Sequence, residues 1–138
     1  MAIRVGTDLV SVESVRESIN THASRYLERV YTERELSDCR SETGVDPQRL
    51  AARFAAKEAA LKVLRPADEA VPWLSIEVRR EPSGWVELEL TGAAAALALD
   101  AGMSELALSI SHEGEFASAV VIADCPSANQ SPEPMRCP

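Results

Sequence analysis

The alternation of apolar and polar positions predicts a β-strand over residues 2–10 of the chain. Gly6 stands in the middle of this stretch, and a glycine inside a strand often marks a place where another backbone or a ligand comes close. The apolar residues that follow recur at helical spacing and predict a helix over residues 11–20. The apolar positions of the strand and helix are Ile3, Val5, Leu9, Val10, Val12, Val15 and Ile19.

The region after this helix carries further signals for helical structure. Residues 26–30 are predicted to add another helical turn. Thr32 followed by Glu35 is the pattern of a capping box, in which each side chain bonds the backbone N–H of the other residue. This box predicts a helix that continues through about residue 40. The first third of the chain is therefore expected to be mostly helical.

The longest predicted helix has signals at both ends. Asp46 supplies an N-cap before Pro47 at the first helical position. Good helix formers then continue to Leu64, and Pro66 prevents the helix from extending further. At 1.5 Å per residue the length of this helix is about 25 Å.

Two hairpins separated by an alanine-rich helix complete the pattern. The first hairpin turns at residues 82–84 and the second at residues 112–115. Residues 93–101, closed by Gly102, predict the helix between them. Because hairpins join most strands, we predict an α+β fold with an antiparallel sheet and the long helix packed on it. The four hairpin strands are residues 74–79, 85–90, 106–111 and 116–123.

The charged residues of the longest helix fall on two narrow flanks. Steps of about 100° per residue place apolar residues on both broad faces, so the helix is expected to be largely buried. Glu58 and Lys62 share one flank, and Arg53 and Lys57 share the other. One interpretation is a surface helix with a weak Glu58–Lys62 pair. The other is a phosphate site, since a carboxylate beside several cations suits a metal and a polyphosphate held together.

Asp8 also has two interpretations. Near the end of the first strand, it is in a position to cap the helix that follows. Alternatively, it supplies a second oxygen ligand to a metal ion, because Mg²⁺ is typically held by one or two carboxylates together with substrate phosphates. The residues alone leave both roles open, since they do not show whether Asp8 lies beside Glu58.

Ser111 and His112 lie where the second hairpin is predicted to turn. A lone histidine in a hairpin turn is usually a solvated side chain without a specific role. The alternative is that His112 donates a hydrogen bond or a positive charge to a bound phosphate. The nearby hydroxyl groups, including that of Ser109, are consistent with this second interpretation.

The composition narrows the possible classes of partner. With 138 residues the chain has the size of one domain. A net charge of −8 argues against nucleic acid as a partner. No apolar run approaches the ~20 residues that a membrane helix needs, so we expect no membrane association. The chain does not start with a signal-peptide pattern, and we expect a cytoplasmic protein.

The C-terminal residues differ in composition from the rest of the chain. From Pro126 onward the sequence is rich in Pro, Ser, Asn and Gln, with too little apolar surface to fold. We therefore predict a folded domain over residues 1–124 and a disordered tail over residues 125–138. The three cysteines have no metal-ligand spacing and are expected to be reduced thiols. They are Cys39, Cys125 and Cys137.

Three motifs occur in a characteristic order. They are Val5-Gly6-Thr7-Asp8-Leu9-Val10, Arg53-Phe54-Ala55-Ala56-Lys57-Glu58-Ala59-Ala60-Leu61-Lys62 and Ser109-Ile110-Ser111-His112. Together they resemble the motifs of the 4′-phosphopantetheinyl transferases, specifically the small holo-acyl-carrier-protein synthase type. The resemblance runs from about Ile3 to Ala123. The Phe-x-x-Lys-Glu-Ala-x-x-Lys segment is highly specific in combination with the N-terminal Gly-x-Asp.

This resemblance implies the 4′-phosphopantetheinyl transferase fold, assembled as a homotrimer with active sites between neighbouring subunits. It implies that Asp8 and Glu58 bind Mg²⁺, which also contacts the pyrophosphate of coenzyme A. Lys62 would neutralise that pyrophosphate. The nucleotide and its 3′-phosphate would be held by a further set of side chains, the last two of them from an adjacent subunit. This set is Arg53, Lys57, Ser111 and His112.

The implied reaction transfers 4′-phosphopantetheine from coenzyme A to a serine of an acidic acyl carrier protein. The serine hydroxyl attacks the β-phosphate and 3′,5′-ADP leaves, so Mg²⁺ and Lys62 are suited to stabilise the developing charge. The serine must also lose its proton. The candidate bases are Glu58 itself and a metal-held water oriented by Glu58 or Asp8.

The chain departs from the family pattern in two places. The family usually has a glycine-rich stretch shortly after the position of Lys62, whereas residues 63–68 contain no glycine and include Arg65. On the first helix, many relatives carry an arginine that meets the carrier, and its place is Ser14 here, with Arg16 nearby. A carrier from a specialised polyketide-type pathway is therefore as consistent with the sequence as the fatty-acid carrier.

Two other functions remain as hypotheses. One is a different nucleotide or phosphate transferase that uses the same metal pair. The other, from a different class, is a non-catalytic module that binds coenzyme A or a carrier protein. The transferase is favoured over this module because Asp8, Glu58 and Lys62 are all present, and a site without activity would have no chemical need for them.

Overall fold

Three long strands form the main sheet of the protein. The computed structural model describes residues 2–126. The order of the main strands is β1-β7-β6, and both pairings are antiparallel. The first and last parts of the folded chain therefore lie side by side in one sheet. The strands are β1 (Ile3–Ser11), β6 (Glu105–Glu113) and β7 (Phe116–Asp124).

Cys125 follows the last residue of β7 and pairs with the start of the chain. The N–H of Cys125 donates to the carbonyl oxygen of Ala2 at 2.8 Å and continues the pairing of β1 with β7. Cys125 is also buried, and the division into a domain over residues 1–124 and a tail over residues 125–138 stays a prediction. The rest of the predicted disordered tail, from residue 127, lies outside the described residues.

Five helices lie between the strands of the described chain, and the predicted capping signals are confirmed. In the capping box, the backbone N–H of Thr32 donates to Glu35 Oε1 at 2.9 Å, and the N–H of Glu35 donates to Thr32 Oγ1 at 3.2 Å. Asp46 caps the longest helix, as expected. Within residues 2–126, no helix is long and apolar enough to span a membrane. The helices are α1 (Val12–His22), α2 (Ser24–Val30), α3 (Glu33–Asp38), α4 (Pro47–Leu64) and α5 (Gly92–Asp100).

Two short hairpins lie outside the main sheet. The predicted hairpin of residues 74–90 forms, but as a separate two-stranded sheet, preceded by a 3₁₀ turn over Trp73–Ser75. A second hairpin, of two-residue strands, was not predicted, because so short a segment has no periodicity. It begins at Arg40, so the prediction that α3 continues to residue 40 was wrong. The short strands are β2 (Arg40–Ser41), β3 (Gly44–Val45), β4 (Ile76–Arg80) and β5 (Val86–Leu90).

The turn between β6 and β7 is tighter than predicted. His112 and Glu113 are strand residues paired with Ala117 and Phe116, so only Gly114 and Glu115 remain in the turn. Gly114 has a positive φ of 59°, a conformation that glycine adopts without steric cost. The assignment of His112 to the turn was therefore wrong. Because His112 lies in β6, the alternation of side chains along the strand determines which face of the sheet its side chain points to.

Helix α4 covers one face of the main sheet and forms the centre of the core. Its alanine-rich broad face is completely buried, as the sequence predicts. Cys39 and Cys125 are buried free thiols. The opposite face of the sheet has no cover within the described chain, although six of its side chains are large, apolar and 38–66% exposed. The six apolar residues of this uncovered face are Ile3, Val5, Leu9, Phe116, Val120 and Ile122.

Helix α4 ends with an unusual backbone conformation. Arg65 follows its last residue with φ 52° and ψ 56°, in the left-handed region, and its N–H donates to the carbonyl oxygen of Leu61. Glycine is the common residue at such a helix end because it adopts this conformation without strain. The absence of glycine after Lys62 therefore does not change the way the helix ends. It places an exposed arginine one turn beyond Lys62.

Candidate functional site

A close approach between β1 and α4 organises the site. A Cβ atom added to Gly6 would lie 2.1 Å from the carbonyl oxygen of Ala59 and 3.1 Å from Cβ of Lys62. Only glycine allows the strand to lie this close to the helix. Asp8, two residues further along β1, points to the same side of the strand as Gly6. The approach therefore places Asp8 beside the flank of α4 that carries Glu58 and Lys62.

Lys62 connects the strand to the helix. Its Nζ lies 3.3 Å from Oδ1 of Asp8 and donates to the carbonyl oxygen of Thr7 at 2.7 Å. The Lys62 side chain remains 53% exposed, so it is accessible to a ligand. The alternative role of Asp8 as a helix cap is wrong, because the Ser11 side chain accepts the bond from the Ser14 N–H and caps α1.

Glu58 completes a cluster of two carboxylates and one ammonium group. Burial raises the pKa of the Glu58 carboxyl, the charge of Asp8 raises it further, and Lys62 partly opposes both effects. The two carboxylates therefore repel each other, and a cation bound between them would relieve that repulsion. Their oxygen atoms are suitable ligands for Mg²⁺. The residue types and their electrostatics fit the metal that the resemblance implies.

The protein supplies only part of a metal coordination sphere here. Within residues 2–126 there is no group of three or more His, Cys, Asp and Glu side chains suited to a metal ion. Mg²⁺ commonly takes one or two carboxylates and completes its six positions with water and substrate phosphates. A site with Asp8 and Glu58 as its only protein ligands matches that pattern.

An aromatic pair lies one helical turn before Glu58. The ring centroids of Phe54 and Trp73 are 5.3 Å apart, with the planes tilted by 49°. Phe54 and Glu58 are four residues apart and lie on the same side of α4. Trp73 therefore packs on α4 one helical turn before Glu58.

Arg53 is a buried cation with unused hydrogen-bonding capacity. The residue is 4% exposed, its Nη1 donates to the Arg49 carbonyl oxygen at 3.3 Å, and its Nε has no partner. No salt bridge to Arg53 occurs among the described residues. Its charge lies close enough to Cys39 to oppose the effect of burial, which raises the pKa of that thiol to about 11. An anion reaching Arg53 would supply the missing partner.

Lys57 lies in the interior and has no free donor for a ligand. The side chain is completely buried, and its Nζ lies 2.7 Å from Glu35 Oε1. The same Nζ donates to the carbonyl oxygens of Trp73, at 3.0 Å, and Ile76. An ammonium group has three donors, and all three are used. Burial lowers the pKa of Lys57, and the Glu35 carboxylate opposes that shift. The expected contact of Lys57 with coenzyme A is therefore corrected to a structural role.

Ser111 and His112 lie apart from this cluster within one chain. Both are exposed and line a cleft of about 340 Å³ at the end of the main sheet, together with Leu9, Phe116 and Ser118. Asp8, Glu58 and Lys62 do not line this cleft. Ser111 pairs with Ser118, which in turn pairs with Leu9, so Ser111 belongs to the uncovered face of the sheet. The described chain does not bring all the predicted residues into one site.

Two contributors to this arrangement had no direct signal in the sequence. Glu35 was interpreted only as a capping residue, although it also forms the ion pair with Lys57. The requirement that buried Lys57 find an acidic partner was visible, but not which acid would meet it. The carbonyl oxygen of Thr7, which accepts from Lys62, belongs to the backbone and has no sequence signal.

Comparisons with known proteins show the family to which the chain belongs. The family model of the 4′-phosphopantetheinyl transferase superfamily matches residues 4–121. A holo-[acyl-carrier-protein] synthase of Desulforudis audaxviator is 38% identical over 130 residues, covering 94% of this chain and 98% of its own length. One of Koribacter versatilis is 38% identical over 125 residues, covering 90% and 99%.

A solved structure of a related protein has a similar fold. An ACPS–CoA complex from Chronobacterium ammoniagenes superposes with a TM-score of 0.81 at 32% identity, covering 92% of this chain and all of that one. The predicted fold class is thereby confirmed. The motifs around Asp8 and Glu58 lie within the matched region. The chain therefore belongs to the 4′-phosphopantetheinyl transferase superfamily.

Proposed function

We propose that this protein transfers 4′-phosphopantetheine from coenzyme A to a serine of an apo acyl carrier protein, in a Mg²⁺-dependent reaction that releases 3′,5′-ADP. The observation that carries the proposal is the cluster of Asp8, Glu58 and Lys62, which the contact at Gly6 assembles from two distant motifs. The names of the relatives, holo-[acyl-carrier-protein] synthases, support the reaction class. A related Bacillus anthracis structure, 28% identical, is described as a complex with CoA (3′,5′-ADP).

Asp8 and Glu58 would hold the metal ion. When bound, Mg²⁺ would supply positive charge to the pyrophosphate and so lower the cost of charge that develops there. The protein's contribution is to keep two carboxylates close together against their mutual repulsion. That repulsion is reflected in the raised pKa of Glu58, to which burial contributes first and Asp8 second.

The remaining steps belong to side chains of the protein. Lys62 would neutralise the pyrophosphate, since its exposed ammonium is held at the site by Asp8 and the Thr7 carbonyl oxygen. The proposed acceptor of the serine proton is Glu58 itself or a metal-held water oriented by Glu58 or Asp8. The buried guanidinium of Arg53, with an unpaired Nε, is the proposed partner for a phosphate of coenzyme A.

The uncovered sheet face supports an assembly in which the active site is shared. Large exposed apolar patches on a soluble domain mark interaction surfaces, and this face carries six apolar side chains at least 38% exposed. We propose that it packs against other copies to form the homotrimer implied by the family. Ser111 lies at one end of this face, and His112 lies beside it at the same end of the sheet, paired with buried Ala117 on the side that α4 covers. They would then reach the Asp8–Glu58 cluster of a neighbouring subunit.

The proposed docking surface for the acidic carrier lies on α2. Arg25 and Arg29 are four residues apart and line neighbouring clefts with Tyr26, Trp73 and Leu74. Neither arginine forms an ion pair within residues 2–126, whereas Arg16 on α1 is paired with Glu13. Unpaired arginines beside exposed apolar groups suit a partner that is acidic and presents an apolar helix face.

Intact mass spectrometry tests the reaction directly. Apo carrier proteins of fatty-acid and polyketide type are incubated with the protein, coenzyme A and Mg²⁺, with EDTA as the control. We expect a mass gain of one phosphopantetheine that EDTA abolishes. Carrier binding without any mass gain would contradict the transferase and support the non-catalytic module.

A complementation experiment tests the shared site. Glu58→Gln and His112→Ala chains are each expected to have little activity. When the two are unfolded together and refolded as a mixture, some sites would combine an intact Glu58 with an intact His112 from the neighbouring chain. Activity should then return in part. A mixture no more active than its components, with light scattering showing a monomer, would contradict the trimer.

A further inference from the structure

A buried ion pair joins three separate parts of the chain beside the candidate site. Glu35 on α3 and Lys57 on α4 are both fully buried, and their charged groups lie 2.7 Å apart. Glu35 also accepts bonds from the backbone N–H groups of Thr32 and Val78, each at 2.9 Å. Each charged group is thus surrounded by hydrogen bonds, which is the condition under which a buried pair is tolerated.

The partners of this pair lie at the end of an exposed loop. Lys57 donates to the carbonyl oxygens of Trp73 and Ile76, on either side of the 3₁₀ turn, and Glu35 holds Val78 on β4. Residues 67–70, in the loop that leads to this turn, are exposed. The ion pair therefore fixes the point at which the loop rejoins the folded chain.

The same contacts lead from the pair back to α4, one helical turn before Glu58. Lys57 holds the backbone of Trp73, and the ring of Trp73 packs on Phe54. Phe54 lies one helical turn before Glu58, on the same side of α4. The path from Glu35 thus consists of an ion pair, a hydrogen bond and an aromatic contact, and it ends on α4 at Phe54.

We propose that Glu35 and Lys57 are positioning residues, which hold Trp73 against Phe54 and thereby keep Glu58 partly shielded from water and correctly oriented. They do not touch the substrate. Without the pair, Trp73 would separate from Phe54 and the flank of Glu58 would become more hydrated. A small displacement of a reacting group lowers the rate of the chemical step more than it lowers binding. The inference rests on the proposed function only for its kinetic consequence.

The fluorescence of Trp73 makes its contact with Phe54 measurable. The chain has two tryptophans, and Trp85 is 78% exposed at the β4–β5 turn. A Trp85→Phe protein therefore reports on Trp73 alone. In this background, the double variant Glu35→Gln/Lys57→Met removes both charges together and avoids leaving one buried charge alone.

Two controls separate positioning from general loss of stability. Arg79→Met/Glu89→Gln removes an exposed pair with a 2.9 Å contact from the β4–β5 hairpin. Val15→Ala removes buried methyl groups from α1, where Val15 is 3% exposed, and provides a destabilised core. All proteins are compared at a temperature where circular dichroism shows them fully folded.

For the Glu35→Gln/Lys57→Met protein we expect Trp73 emission to shift to longer wavelength and kcat to fall by about 10- to 100-fold. KM for coenzyme A should change by less than about threefold, because Lys57 is not a ligand-binding group. Both controls should keep the wild-type emission and kcat. The proposal is overturned if the double variant keeps the wild-type emission, or if its kcat falls no more than that of the Val15→Ala protein.

Failure of the proposed function gives a different result. In that case the Trp85→Phe protein itself would not modify any carrier, whatever the state of the ion pair. The emission of Trp73 would still show whether Glu35 and Lys57 hold it against Phe54. The structural part of the inference and the proposed reaction are therefore tested separately.

Discussion

The two flanks of α4 carry the same kinds of residue but serve different purposes. On one flank, Lys57 is fully buried and its three donors bind Glu35 and two backbone carbonyl groups. On the other flank, Lys62 is 53% exposed and meets Asp8 on β1. Both are lysines within one helical stretch, and each lies near a carboxylate.

The difference comes from what packs on each flank. The flank of Lys57 is closed by α3 and β4, so its charge must be satisfied inside the protein. At Lys62 the flank is bordered by β1, which Gly6 brings close enough to add Asp8 but which leaves the ammonium accessible. Charge on a largely buried helix therefore becomes either a structural element or a ligand site, according to whether the neighbouring elements close over it.

The largest expected effect is on activity at the open flank. Lys62→Ala should lower the transfer rate by roughly 10²–10³-fold, because a charge that stabilises the transition state is lost. Its free energy of unfolding should change by less than about 0.5 kcal/mol, since the side chain is half exposed. Initial rates from carrier mass spectra and thermal unfolding measure the two quantities. An undiminished rate would contradict the role of Lys62.

On the flank of Lys57, the main expected effect is on stability and not on activity. Lys57→Ala leaves the Glu35 carboxylate buried without a counter-charge, which typically destabilises a protein by about 3–5 kcal/mol. Urea unfolding of this protein measures the change, with Lys62→Ala as the matched lysine control. A loss similar to that of Lys62→Ala would show that the Glu35–Lys57 pair contributes little to the fold.

Gly6→Ala tests the contact that creates the open flank. The added methyl group would meet the Ala59 carbonyl oxygen at 2.1 Å, so β1 must move away from α4. Overpacking of this kind costs about 1–3 kcal/mol, and Asp8 should separate from Glu58. We expect weaker Mg²⁺ binding by isothermal titration calorimetry as well as lower stability. Unchanged metal affinity in a destabilised protein would mean that Gly6 serves packing alone.

The smallest expected effect is on the pH dependence of the stability of the metal-free protein. The folded pKa of Glu58 is raised by burial and by Asp8, so ionisation of Glu58 opposes folding. Glu58→Gln and wild type should be equally stable below the unfolded pKa of about 4.3. As the pH rises through the raised pKa of Glu58 in the folded protein, wild type should lose stability relative to Glu58→Gln.

Solvent screening keeps this difference below about 1 kcal/mol. Thermal unfolding between pH 4 and 8 with EDTA measures it. Added Mg²⁺ should stabilise wild type and have little effect on Glu58→Gln. A variant less stable than wild type at neutral pH without metal would contradict the proposed repulsion between Asp8 and Glu58.

Local signals in the sequence predicted most of the helices and strands. The capping box of Thr32 and Glu35 and the Asp46 cap were confirmed because such bonds depend only on residues a few positions apart. The β2–β3 hairpin was missed and α3 was predicted too long, since two-residue strands are set by their neighbours. Three separate sheets formed where one was expected, because strand alternation does not show which strands pair.

By itself, the sequence determined the family, the long buried helix and the presence of charges that required partners. Those properties depend on residue type and on spacing along one helix. The tertiary structure alone decided that Lys57 meets Glu35 and that Lys62 meets Asp8. It also decided that Ser111 and His112 line a separate cleft, which Asp8, Glu58 and Lys62 do not line. The physical reason is that the partner of a buried charge is the group that packing brings within a few ångströms, however distant it is along the chain.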